Sequence, residues 1–300
     1  MSSTQQFFIV GAPKCGTTSL YRWLRTRKKV FMSNPKELYY FDKDFETDKG
    51  YINEYDQYMK CFDDVKAHHR AVGEATTTYL HSKKAIPGIE ERYETPKYIV
   101  MLRHPADMAY SLHNHLIYKG EEHITDFEEA WNKSTERRQG EYVKWYCSEP
   151  KLLDYKNACR LGEQLERMLS IVPRSRAKLI FLEQLKVDPK REFDNVMTFL
   201  SIRDYRYPGF KPQNKAKEKK SRLLQRVTNN LRYTARIVRE YTGPLGTSII
   251  KNMKKINTQK KNNKKIEKAL RRKVTRFFED DIRKLSRLTD RNLNHWLYNE

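Results

Sequence analysis

Residues 7–24, FFIVGAPKCGTTSLYRWL, limit what this chain can fold into more than any other stretch. An apolar run from Phe7 to Val10 meets a turn at Gly11. Beyond it, Thr17, Thr18 and Ser19 lead into Leu20, Trp23 and Leu24 at helical spacing. The pattern predicts a strand, a tight loop and a helix. Gly11 and Gly16 let the backbone bend and approach a ligand closely, while the unpaired amides and positive dipole end of the helix start attract a phosphate or sulfate.

A nucleotide-hydrolysing loop of the form GxxxxGK[ST] has lysine directly after its second glycine. Here Thr17 takes that place and the lysine lies inside the loop as Lys14. The anion cradle is kept without the usual grip on a β,γ-phosphate pair and its magnesium, which argues against ATP. The stretch resembles the sulfotransferase superfamily, whose 5′-phosphosulfate loop has the form PKxGTT. That resemblance implies a 3′-phosphoadenosine 5′-phosphosulfate donor and an α/β fold: a P-loop-like three-layer α/β/α arrangement around a central, mostly parallel sheet. Residues 1–300 are expected to form a single sulfotransferase domain.

A second motif agrees. The apolar run KYIVML, Lys97 to Leu102, predicts a buried strand that ends in Arg103, and Pro105 suits the first turn of a helix continuing to Tyr118. Arg103 at the strand tip and Ser111 on the helix can converge on one phosphate. RHPADMAYS resembles the 3′-phosphate site RxPxxxxxS of the superfamily, with Arg103 and Ser111 in the matching places and His104 where an acid or amide is common.

Between these motifs, NPKELYYFD, Asn34 to Asp42, sets a carboxylate beside Lys36 and three aromatics. It is similar to the KExHFFD stretch of carbohydrate sulfotransferases, which implies that Glu37 is the base deprotonating the acceptor. AVGEATTTYL, Ala71 to Leu80, resembles the GEASPSYL stretch of bacterial members, with Ala75 where heparan-type enzymes place lysine. His81 follows it and is the rival base, because histidine titrates near neutrality. Glu37 ranks first, since YLHSKK does not match a histidine motif closely.

The resemblance implies a division of roles. Lys14, Cys15, Gly16, Thr17, Thr18 and Ser19 form the 5′-phosphosulfate loop, with Lys14 also stabilising the bridging oxygen; Arg103 and Ser111 hold the 3′-phosphate. Lys36, Tyr40 and His81 are acceptor-side candidates. Lys220, Ser221 and Arg222, in KKSR, look like the basic loop that closes over the donor in relatives. No metal is implied, because cationic side chains neutralise the developing charge. The acceptor would be a glycan or small molecule, taking the sulfuryl group on a hydroxyl or amine by in-line displacement.

The remaining chain predicts a helix over the charged residues 43–70, two or three helices in 124–175, and a strand at Lys178–Leu182 followed by a helix through Leu200. A C-terminal helix and turn is expected to carry Trp296 onto the core. The formal charge is +22, and residues 211–276 hold 22 Lys/Arg against three acids. This charge calls for anionic partners and admits a nucleic-acid-binding protein as a competing class. The lysines are not interleaved with stacking aromatics, so nucleic acid is not the expected partner. A P-loop kinase is the other rival and lacks its lysine. Four cysteines without CxxC pairing, a polar start and no apolar run approaching the ~20 residues of a membrane span lead to the expectation of a cytoplasmic protein.

Overall fold

The structure, a computed structural model, describes residues 4–45, 52–145, 147–203, 205, 209, 217–219, 258–260 and 266–298. The proposed donor-closing residues Lys220, Ser221 and Arg222, and most of the basic segment 211–276, lie outside them. Among the described residues no helix is long and apolar enough to cross a membrane.

Five strands form an all-parallel sheet: β1 (Gln5–Gly11), β2 (Val30–Met32), β3 (Ala71–Ala75), β4 (Lys97–Leu102) and β5 (Ala177–Phe181), in the order β2-β3-β1-β4-β5. The strands are apolar runs rather than alternating patterns because helices cover both faces of a parallel sheet. Phe7 to Val10 and Tyr98 to Leu102 are accordingly buried along their whole length. A short antiparallel pair, β6 (Lys217–Lys219) with β7 (Thr258–Lys260), stands apart from the sheet. This is the α/β, P-loop-like class that the sequence predicts.

Helix α1 (Thr17–Arg25) follows β1 and buries Thr17, Leu20, Tyr21, Trp23 and Leu24. Helix α2 (Tyr55–Lys60) is shorter than the helix expected over 43–70, because turns at Cys61–Asp64 end it after six residues. Helices α3 (Ala85–Arg92) and α4 (Pro105–Lys119) follow β3 and β4. The stretch 124–175 breaks into α5 (Phe127–Asn132), 3-10 turns at Glu136–Gln139 and Pro150–Leu153, α6 (Tyr155–Ala158) and α7 (Leu161–Leu169). Gly140 in the left-handed region and Pro150 interrupt it. Next come α8 (Leu182–Val187) and α9 (Pro189–Phe199), then α10 (Lys268–Phe277), α11 (Glu279–Thr289) and α12 (Asn294–Tyr298).

The C-terminal helices are tied to the sheet core. Asp281 accepts from the amides of Gly162 and Glu163, both at 2.9 Å, and so satisfies the open start of α7. Trp296 is 3 % exposed; its indole donates to Glu183 at 3.0 Å and its carbonyl meets the His104 ring at 3.0 Å. The packing expected of Trp296 is present, and it braces the chain one residue after Arg103.

Candidate functional site

In a parallel sheet the ligand crevice lies at the carboxyl ends of the strands, where the strand order reverses. β1 occupies that position, with β3 on one side and β4 on the other. Gly11, residues 76–77 and Arg103 leave the three strands there, and the segment after β2 runs past the same edge.

The loop after β1 is shaped by two residues in the left-handed region, Lys14 at φ 64° and Gly16 at φ 93°. Gly16 is the N-cap of α1 and has no side chain to offer, so the first helix amides keep their hydrogens for a ligand. A Cβ at Gly16 would stand 2.8 Å from Leu182 Cδ1. Thr17 is buried, whereas Thr18 and Ser19 are half-buried. Cys15 faces away: its thiol is fully buried against Pro13 O and Met108 Sδ, burial pushes it up to about 12, and its amide donates to Ala12 O. Within the loop Cys15 is therefore a packing residue.

Arg103 Nη1 donates to the Lys14 carbonyl at 3.1 Å. The two predicted anion-binding stretches, 89 residues apart in sequence, are thus in contact. Burial, and then the Arg103 charge, bring the Lys14 ammonium down to about 8. Among the described residues neither cation has a carboxylate within ion-pair distance. Two neighbouring cations and open helix amides fit a ligand with more than one anionic group.

Glu37 lies across from Lys14. Its φ of 66° is in the left-handed region, a conformation costing about 1–3 kcal/mol for a non-glycine residue. The end of β3 holds it there: the Glu37 amide donates to Ala75 O at 2.9 Å, and Thr76 Oγ1 accepts from Leu38 N at 3.0 Å and Tyr39 N at 3.4 Å. Tyr79 OH takes the next two amides, those of Tyr40 and Phe41. Beneath them the buried Glu74 accepts from Thr76 Oγ1 at 2.7 Å and Tyr58 OH at 2.9 Å, and burial raises it to about 7.

The Glu37 side chain is 31 % exposed. It accepts from Lys36 Nζ, from Tyr39 OH at 3.0 Å and from Thr77 Oγ1 at 3.3 Å. Burial alone would raise its pKa; Lys36, Lys119 and Tyr39 outweigh that and hold it at about 2. The group is a carboxylate at any working pH, poised as an acceptor of hydrogen bonds.

Helix α4 supplies a third wall. Ser111, His115 and Lys119 recur every four residues, so they share a face, and all three are half-buried. Burial, then Lys14 and Lys119, push the His115 imidazole down to about 3, so it is neutral. Lys119 pairs with the buried Glu149 at 3.2 Å. The four-residue step from Ser111 would have pointed to His115 and Lys119; nothing local marks Glu149, which arrives from a distant loop.

Lys36, Glu37, Lys14 and Arg103 are brought together, with Ser111 on the adjoining helix face. Tyr40 and His81 are held by other contacts. Tyr40 stacks on Tyr58 with centroids 4.6 Å apart, in the aromatic cluster beneath the loop. His81 is buried against Phe45 and Asn157, and the charges that act on it most are those of Arg167, Lys151, Asp44 and Lys83. Burial lowers it to about 4.

Comparisons with known proteins place the chain in a family with this fold. A family model described as the sulfotransferase domain matches residues 4–289. The crystal structure of a sulfotransferase from Alicyclobacillus acidocaldarius superposes with a TM-score of 0.71 at 26% identity, covering 98% of this chain and 99% of that one. The bifunctional heparan sulfate N-deacetylase/N-sulfotransferase 3 of Homo sapiens is 25% identical over 209 residues, 66% of this chain and 22% of its own length. The membrane-associated sulfotransferase kil1 of Dictyostelium discoideum is 27% identical over 107 residues, 35% of this chain and 21% of its own. The chain spans about a fifth of the length of these curated relatives.

Proposed function

Because the chain belongs to the sulfotransferase family, we propose that it transfers a sulfuryl group from 3′-phosphoadenosine 5′-phosphosulfate to a hydroxyl or amine of a glycan or small-molecule acceptor. The observation that carries this reading is the 3.1 Å contact of Arg103 with the Lys14 carbonyl, which sets two cations, neither within ion-pair distance of a carboxylate among the described residues, at one crevice beside Glu37.

The donor supplies an activated sulfuryl group on a phosphate leaving group. Lys14 and the amides of Gly16, Thr17 and Thr18 hold its 5′ end, and Arg103 and Ser111 its 3′-phosphate. Lys14, a compact charge on a flexible stem, also meets the charge that grows on the bridging oxygen. Glu37 takes the acceptor's proton, with Lys36 and Thr77 fixing the carboxylate. These cations fill the place a metal takes in phosphoryl transfer. Residues 1–300 act in this reading as a single sulfotransferase domain. The match to a relative named for heparan sulfate favours a glycan acceptor. Four free cysteines, two of them buried, suit the reducing cytoplasm.

Calorimetric titration with 3′-phosphoadenosine 5′-phosphate tests the reading. Micromolar or tighter binding without magnesium is expected, with a loss of about 10- to 100-fold in Arg103→Ala, the range for a charge-assisted contact. Preference for ATP with magnesium, or wild-type affinity in Arg103→Ala, would refute it.

A further inference from the structure

Tyr39 stands between two carboxylates. Its hydroxyl lies 3.0 Å from Glu37 Oε2 and 3.5 Å from Glu149 Oε1. A phenol has one hydrogen, so it can donate to only one of these oxygens at a time. The phenol therefore offers its hydrogen to one carboxylate while its oxygen can accept from the other once that one is protonated. Glu149 is the inner member of the pair: its side chain is 8 % exposed against 31 % for Glu37. Lys119, at 3.2 Å, holds it in place.

We propose that Tyr39 and Glu149 form a proton relay behind Glu37, with Glu149 as the terminus for the proton the acceptor loses. This rests on the proposed role of Glu37 as base. As the acceptor oxygen bonds to sulfur, the sulfur–oxygen bond to the 5′-phosphate breaks and its electron pair leaves with the phosphate. The acceptor's O–H or N–H proton passes to Glu37. Glu37 returns it to the Tyr39 oxygen as the Tyr39 hydrogen moves to Glu149 Oε1. The net change is one proton on Glu149, with Glu37 again a carboxylate and Tyr39 again a phenol.

The electrostatics run the same way. Lys36 and Lys119 make Glu37 a weak base that cannot keep a proton. Burial raises Glu149 despite the opposing pull of Lys119, and the nearby Glu37 and Glu121 charges add to that. A proton delivered to Glu37 therefore moves downhill to Glu149. The 3.5 Å separation is long for an O–H···O bond, and catalytic contacts of this kind commonly shorten once the reactants are bound. Three separate parts of the chain build the relay: the loop after β2 (Tyr39), the end of α4 (Lys119) and the segment before the Pro150–Leu153 turn (Glu149).

The test uses water as acceptor, so that no natural acceptor has to be identified. Full-length protein in excess over sulfur-labelled donor is followed for release of labelled sulfate, alongside titration with 3′-phosphoadenosine 5′-phosphate. Tyr39→Phe and Glu149→Gln should each slow release about 10- to 100-fold with product affinity unchanged. The double variant should be no slower than the slower single variant, because both residues act on one path. The wild type should show a solvent deuterium effect from two protons in motion, reduced to one in Tyr39→Phe. Wild-type rates in both single variants overturn the relay, as do additive losses, a matching fall in product affinity, or a wild-type protein that releases no labelled sulfate. Glu37→Gln separates the premise from the relay: if it too keeps the wild-type rate, the role of Glu37 fails; if it alone is slow, only the relay fails.

Discussion

Thr76 Oγ1 donates to the buried Glu74 at 2.7 Å and accepts from the amides of Leu38 and Tyr39, so a single hydroxyl couples the sheet core to the loop that carries Glu37. Glu74 titrates abnormally because burial lifts it to about 7, and Asp42, similarly lifted to about 6, adds to it. A carboxyl with a raised folded-state pKa stabilises the fold fully below its unfolded value of about 4.5 and loses that contribution as pH rises through about 7.

Glu74→Gln mimics the protonated acid and should therefore flatten the dependence of stability on pH. Melting temperatures at pH 5 and pH 8 should fall further for the wild type than for the variant. An identical pH dependence in the two proteins would show that Glu74 does not titrate in this range.

Lys14 predicts the alkaline limit of donor binding. Below pH 8 it is protonated both free and bound, and affinity for 3′-phosphoadenosine 5′-phosphate should be flat. Above pH 8 the free protein has lost the proton while the bound anions hold it, so binding takes up one proton and affinity falls about tenfold per pH unit. Lys14→Arg stays charged and should stay flat to higher pH. Calorimetry in two buffers of different ionisation enthalpy measures the proton uptake directly.

Glu37→Gln should reduce sulfuryl transfer about 10²- to 10⁴-fold, the usual span for a positioned base, and leave the dissociation constant of 3′-phosphoadenosine 5′-phosphate within about twofold. His81→Ala, at a side chain buried against Phe45 and Asn157, should keep its transfer rate per folded molecule. A larger loss in His81→Ala than in Glu37→Gln would reverse the ranking of the two bases.

Gly16→Ala places a methyl 2.8 Å from Leu182 Cδ1 and holds alanine at φ 93°. The strain should cost about 1–3 kcal/mol and lower the melting temperature by several degrees. Donor affinity should fall with it, because the shifted loop carries the amides that meet the anion. Differential scanning calorimetry and product titration on the same sample check both effects.

Much of the fold was legible because its signals are local. The apolar runs at Phe7–Val10 and Lys97–Leu102 have no polar alternation and had to be strands buried on both faces. Gly11, Gly16 and Pro105 punctuate the chain at the ends of those strands. The motifs at Lys14 and Arg103 could be found separately for the same reason. The region 43–70 was harder: a charged, aromatic segment has no apolar period to fix helix length, and turns at Cys61–Asp64 ended α2 early.

The sequence by itself determined the strand–loop–helix units and the residue types at their tips, since backbone preference and hydrophobic period act over a few residues. Only the tertiary structure decided which tips face each other. The reversal of strand order at β1 brought Arg103 against Lys14, the end of β3 fixed Glu37 in place, and the distant Glu149 came to face Tyr39 through packing. The same packing turned Cys15 inward, stacked Tyr40 on Tyr58 and set His81 against Phe45 and Asn157, because burial and electrostatics depend on neighbours far along the chain that no local pattern encodes.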